Sequence, residues 1–210
     1  MARATQAVRS RPDSAPTSDT AAGRERVLQA ALDAFFEQGF HGTSMRTIAD
    51  HAGTAISHAY YYFPSKADLL RTLMVGVTED LLAALEAARV EAGSDPAARL
   101  AAIVRAHVRL HTERQAEAFV GNTELRSLTA RDRIDVVALR DRVAAIFKAT
   151  IDEGLRCRVF RCAHRDEAVL AIVTMCTAVA GWYRADGPLA PEAVADRYAD
   201  LSLSLVGYRR

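Results

Sequence analysis

Three observations predict an all-α chain. Apolar residues recur at three- and four-residue steps through most of the sequence, Gly and Pro fall between those runs, and no stretch alternates apolar with polar as a half-buried strand would. With 210 residues, half of them apolar and a quarter charged, the chain can bury a sizeable core in one long domain or two small ones. The pattern resolves into about nine helices with no internal repeat.

Residues 1–21 are rich in Arg, Ser, Thr, Pro and Ala and have almost nothing large to bury, which predicts a disordered arm. From Arg24 a helix carries Val27, Leu28, Ala31, Leu32, Phe35 and Phe36 on one side and stops at Gly39. A second runs near Met45 to Ala52, capped by Thr43 or Ser44, and ends at Gly53; a third runs near Ala55 to Tyr62. Ser65-Lys66-Ala67-Asp68 is a capping-box pattern opening a long fourth helix with Leu70, Leu73, Met74, Val77, Leu81 and Leu85 in one stripe, ending near Ala92-Gly93. Asp95-Pro96 starts the next, since Pro is tolerated at a first helical position. That helix and a sixth fill the chain to about Leu128, with a break near Glu113 or Gly121. Thr129 caps a helix through Val136, Leu139, Val143, Ile146, Phe147 and Ile151 that stops at Gly154. After a loop from Arg156 to His164 come an apolar helix, Asp166 to about Tyr183, the turn Ala185-Asp186-Gly187-Pro188, and a last helix from Pro191 to about Gly207.

Composition narrows the function. A net charge of +1 means that any nucleic-acid contact rests on a local patch. No apolar run approaches the ~20 residues that span a bilayer, and the arginines near the start lack the apolar stretch of a secretory signal. Three cysteines do not make a disulfide framework, so the expected compartment is the cytoplasm.

The segment from Gly39 to Lys66 reads as a helix-turn-helix: a bracing helix, a turn at Gly53 free of Cβ strain, and a second short helix whose start can enter a major groove. A plain αα-hairpin fits the same spacing. Lys66 weighs for DNA, because a cation is disfavoured in a helix's first turn and a phosphate there would answer both the lysine and the free backbone N–H groups.

Residues 24–70 resemble the DNA-binding domain of the TetR family of transcriptional regulators. The matching residues are Ala31, Phe35, Gly39, Gly42, Thr43, Ile48, Ala49, Ala52-Gly53, Tyr60, Tyr62-Phe63, Lys66, Leu69 and Leu70. The resemblance implies a helix-turn-helix DNA-binding domain over 22–68, and a ligand-binding and dimerisation domain over 69–210. It also implies a homodimer that grips an inverted-repeat, double-stranded operator and releases it when a small molecule binds. Carried over, Thr43, Tyr60 and Lys66 match phosphate-contacting positions, and Arg46 with Ala55, Ile56, Ser57 and His58 match base-reading ones; Ser44 and Tyr61 join them at the DNA surface. The stretch Thr54 to Ala59 departs from the commonest pattern of the family, so the operator sequence does not follow from it. Ala59 stands where a large apolar residue is usual.

The last two helices carry apolar residues on more than one side, which calls for a covering subunit. Val169, Ile172, Val173, Cys176, Tyr198, Leu201 and Leu205 are the expected dimer interface. The segments 124–128, 139–141, Gly154 and 181–189 resemble a narrower TetR group that regulates fatty-acid and sterol-side-chain catabolism through acyl-CoA ligands. That implies an apolar pocket drawn from His107, Leu110, Phe119, Leu125, Arg140, Phe147, Met175 and Trp182, with Arg156, Arg158, Arg161 and Arg165 at its mouth.

His107 and His111 have the i, i+4 spacing of a metal pair, but Val108 replaces the Glu of the catalytic version, and Cys157, Cys162 and His164 match no closed zinc spacing. No metal and no cofactor is therefore expected. Neither a phosphate loop nor a nucleophile elbow is present, so no enzyme is expected. The leading expectation is a repressor released by a small hydrophobic or acyl-CoA-type effector. The alternatives are a sensing module without specific DNA binding, and a DNA-binding regulator switched by oxidation of Cys157 and Cys162.

Overall fold

A computed structural model describes residues 18–209, so the expected disorder of 1–17 lies outside the described residues. Among those residues there are nine α-helices, one short 3-10 turn and no strand. The first helix, α1, spans Ser18–Gly42 and so begins before Arg24, taking in part of what was expected to be arm. Gly39 does not end it but kinks it, at φ 71°, and a final turn follows to Gly42.

Helix α2, Met45–His51, is capped by the Ser44 hydroxyl, which accepts from Thr47 N. The turn at Gly53 has φ 62°, and α3 is Ile56–Tyr62. Helix α4, Lys66–Glu91, opens on Ser65, whose hydroxyl accepts from Asp68 N at 3.1 Å and donates to the Asp68 carboxylate at 2.7 Å. Asp95 accepts from Ala97 N and Ala98 N to start α5, Pro96–Glu113.

The expected break comes at Arg114, outside helical φ/ψ, and α6 is Gln115–Thr123, passing through Gly121 without interruption. The 3-10 turn Leu125–Ser127 leads to Thr129, which caps α7, Ala130–Arg156. The ordinary conformation of Gly154 leaves it inside α7, where the buried Phe160 ring occupies the space a Cβ would need; close packing, not chain termination, selects glycine there. Helices α8, Arg165–Trp182, and α9, Pro191–Leu205, complete the chain.

Two apolar cores follow. One gathers Val27, Ala31, Phe35, Ile48, Ala59, Phe63, Leu69, Leu70 and Met74 from α1 to α4, joined by Val120 of α6 and Val136 of α7. The other gathers Leu81, Leu85, Leu100, Val104, Phe147, Ile151, Ile172, Val179, Val194 and Ala199 from α4 to α9. Helix α4 contributes to both, its first turns to one and its later turns to the other. No helix among the described residues is long and apolar enough to cross a membrane.

Candidate DNA-reading head and ligand cavity

The head presents a row of exposed side chains on the ends of α2 and α3. Ser44, Arg46, Ala55, Ile56, Ser57, His58, Tyr60 and Tyr61 are all exposed, Tyr61 by 74%. Arg46 forms no ion pair among the described residues. Thr54 Oγ1 and His58 Nδ1 stand 3.5 Å apart, holding the imidazole along the start of α3. Ala59 is fully buried within the head core. The three tyrosines separate as helix geometry requires. Tyr60 and Tyr61 face out, while Tyr62 lies partly buried with its hydroxyl above Gly23, where a Cβ would sit 2.5 Å from it.

Two expected phosphate contacts are placed differently. Thr43 is buried, and its hydroxyl sits 3.1 Å from the Ala34 carbonyl and 2.9 Å from that of Gly39, so its side chain braces the kink of α1. The Lys66 ammonium donates to the carbonyls of Phe40, at 2.5 Å, and Thr43, at 2.6 Å, and lies 4.2 Å from the centre of the Phe40 ring. A cation at the start of α4 is thus answered by carbonyls at the C-terminal end of α1, which carry partial negative charge. Burial pulls the lysine pKa below its ordinary value, and the Glu124 charge acts the other way. Glu124 itself accepts from Phe40 N at 3.2 Å, a clamp on the same kink that sequence reasoning passed over.

In the body, a cavity of about 450 Å³ lies among α4, α5, α6, α7 and α8. Of the expected pocket residues, His107, Leu110, Phe119 and Arg140 line it. The other four do not. Leu125 packs against the head core, Phe147 is fully buried beside the His107 ring, Met175 packs into the body core, and Trp182 lies 46% exposed and stacked on Tyr198. The structure adds His111, Asn122 and Thr177 as polar lining. None of Arg156, Arg158, Arg161 and Arg165 lines the cavity, and Arg165 is already paired with Asp152 and Asp166.

One buried polar atom of the cavity lining is left without a partner among the described residues. His107 Nδ1 is buried with no hydrogen-bond partner, and its Nε2 stands 3.4 Å from Thr177 Oγ1. His111 donates from Nδ1 to the His107 carbonyl at 3.0 Å. Burial drives both imidazoles toward the neutral form: His107 well below its ordinary range, with the neighbouring His111 adding to the effect, and His111 to about 4, with Arg140 adding to it. Arg140 gives one N–H to the Gly121 carbonyl at 2.7 Å and meets no carboxylate among the described residues. No third His, Cys, Asp or Glu joins the histidines in a cluster that could hold a metal among the described residues.

The expected interface residues divide by packing. Val169, Ile172 and Cys176 turn into the chain's own core, with the Cys176 thiol pushed up to about 12 by burial, and Val173 borders the cavity. Helix α8 is covered by the chain's own core on its inward side and leaves apolar residues open on its outward side. The open face carries Leu170 at 68% exposure and Trp182 on α8, and Leu201 and Leu205 on α9, with Tyr198 beside them.

Comparison with known proteins gives a consistent match. Residues 27–73 match the model described as bacterial regulatory proteins, tetR family, and residues 93–206 the model described as tetracyclin repressor-like, C-terminal domain. The HTH-type transcriptional repressor KstR2 of Rhodococcus jostii is 25% identical over 194 residues, covering 91% of this chain and 95% of that protein. A solved bacterial regulatory protein in the tetR family from Rhodococcus RHA1 aligns with a TM-score of 0.85 at 28% identity, covering 90% of this chain and 98% of that one. AibR, solved in complex with isovaleryl coenzyme A and operator DNA, shares the fold with a TM-score of 0.78 at 21% identity, over 89% of this chain and all of that one.

Proposed function

The chain belongs to the tetR family of bacterial regulatory proteins, and from that premise we propose that it is a cytoplasmic, dimeric transcriptional repressor released from its operator by a small hydrophobic or acyl-CoA-type effector. No enzymatic step is assigned to it. The observation that carries the reading is the exposed row Arg46, Ile56, Ser57, His58, Tyr60 and Tyr61 on the edge of a firmly packed head. Arg46 is free to reach a base edge or phosphate, Ile56 to meet a thymine methyl, and Ser57 and His58 to hydrogen-bond within a groove.

The open apolar face of Leu170, Trp182, Leu201 and Leu205 supports a two-fold dimer that sets two reading heads about one DNA turn apart, hence an inverted repeat as target. The full-length similarity to KstR2, a repressor, supports repression as the sign of the effect. The cavity supports a ligand with an apolar body, and AibR, which binds isovaleryl coenzyme A, supports an acyl-CoA as one such ligand.

Fluorescence anisotropy with the gene's own upstream DNA tests the proposal. Wild type binds a symmetric element within that DNA in preference to scrambled duplex. Arg46→Ala weakens that binding by about 1–3 kcal/mol at an unchanged melting temperature. Equal affinity of wild type for upstream and scrambled DNA would overturn it.

A further inference from the structure

The lining of the cavity specifies the ligand more narrowly than its apolar walls do. Resting on the reading that this cavity takes the effector, we propose that the effector is an apolar monocarboxylic acid, held with its carboxylate on Arg140.

Arg140 is the sole Lys or Arg lining the cavity among the described residues. It comes from α7, is largely covered, and has one protein partner, the Gly121 carbonyl. A guanidinium carries five N–H donors in a planar fork, so most of its hydrogen-bonding capacity is unused. A covered cation without a counter-charge is unfavourable, and the structure supplies no carboxylate to offset it. A ligand carboxylate meets that need with two parallel charge-assisted bonds.

The rest of the lining limits the charge to one. His107 and His111 are held neutral by burial, so neither adds a cation. Asn122 is engaged with the Thr177 carbonyl at 3.1 Å through its amide nitrogen. Val77, Leu81, Leu110, Phe119, Val143 and Val173 provide walls for a hydrocarbon body. Several phosphate charges, as on a coenzyme A, would find one arginine, because the arginines of the α7–α8 connection lie elsewhere. At about 450 Å³ the cavity is sized for a small apolar skeleton, near the lower part of the roughly 300–1,000 Å³ range of ligand pockets.

The test is calorimetric titration of the full-length protein with hexanoate, octanoate, decanoate and dodecanoate, each beside the matching primary alcohol and the matching acyl-CoA. At least one acid is expected to bind at least ~10-fold more tightly than its alcohol, the margin of one charged hydrogen-bonding group. Arg140→Met removes that margin by weakening the acid at least ~10-fold more than the alcohol, while Arg140→Lys, which keeps the charge and loses the fork, falls between. Acid and alcohol binding alike in wild type, Arg140→Met weakening both alike, or no acid binding at all would each overturn the assignment. Preferential binding of the acyl-CoA would also overturn it while leaving the regulator reading intact. Operator release by the tightest binder of the set is read alongside. A bound acid that leaves the operator complex intact would overturn the acid as effector, whereas loss of the preference for upstream over scrambled DNA would count against the regulator reading alone.

Discussion

Replacing Lys66 by Met separates an architectural lysine from a phosphate-binding one. The substitution keeps the aliphatic stem and removes an ammonium that bonds to two carbonyls, Phe40 and Thr43, and faces the Phe40 ring. Each charge-assisted bond contributes about 1.5–3 kcal/mol, and two bonds from one ammonium add less than twice that. The ring contributes about 0.5–1 kcal/mol more. Against this stands lost hydration, which is why burial lowers the lysine pKa. A net loss of about 2 kcal/mol follows from these terms. For a chain of this length that lowers the melting temperature by about 4–8 °C. The assay is thermal unfolding by circular dichroism, paired with operator affinity measured across salt concentration. A lysine whose role is to contact phosphate gives the opposite pair of results. The melting temperature would hold, and the slope of log affinity against log salt would shrink by about 0.9 per subunit. That second pattern would refute the carbonyl-clamp account.

Three further outcomes follow from the packing. Gly154→Ala gains about 1 kcal/mol of helix propensity but drives a methyl into the Phe160 ring at about 1–3 kcal/mol, so urea unfolding should show net destabilisation. In a Phe160→Ala background the same change should turn stabilising, and a destabilising effect there would sink the explanation. His107 and His111 have folded-state pKa values below their unfolded ones, so their contribution is complete above about 6.5 and is lost as pH falls toward 4. The urea midpoint of wild type should drop between pH 7 and pH 5, and His107→Gln/His111→Gln should flatten that slope whatever its effect at pH 7. Leu201→Glu puts a charge on the open α9 face, 56% exposed in one chain, so light scattering should report a monomer with unchanged helicity; a surviving dimer would place the interface elsewhere.

The head and the helix starts of the body were legible in the sequence because their signals are local. Ser44 and Ser65 in the head, and Asp95 and Thr129 in the body, cap helices through neighbours two or three residues away, and Gly53 takes the positive φ that a tight turn demands. What the sequence hid depends on distant partners. Lys66 reaches carbonyls more than twenty residues back, and Glu124 reaches Phe40 N across 84 positions. Spacing alone could not separate the buried Ile172 from the exposed Leu170 of α8, since both lie on a helix apolar on several sides. The histidine pair was visible as a spacing, but its meaning was not. Two neutral imidazoles packed 4.6 Å apart at ring centres line a cavity, and only their burial reveals that they add no charge to it.

The same distant contacts bound how a ligand could be felt at the DNA. Helix α6 carries Phe119, Gly121 and Asn122 on the cavity, and the Gly121 carbonyl is held by Arg140. Phe119 also packs edge-on against Phe36 of α1 at 5.4 Å, and Glu124, just past the end of α6, holds the Phe40 amide beside the kink. The Phe40 carbonyl in turn holds Lys66 at the start of α4. A ligand that draws the Arg140 fork away from Gly121, or crowds Phe119, would change the seat of α6 against the one irregular point of α1. Couplings between sites of about 1–3 kcal/mol are usual, and that is the size of one hydrogen bond to a charged group. The difference in ligand affinity between the two seats is the whole of what the heads can receive, so a single arginine changing partners is of sufficient size.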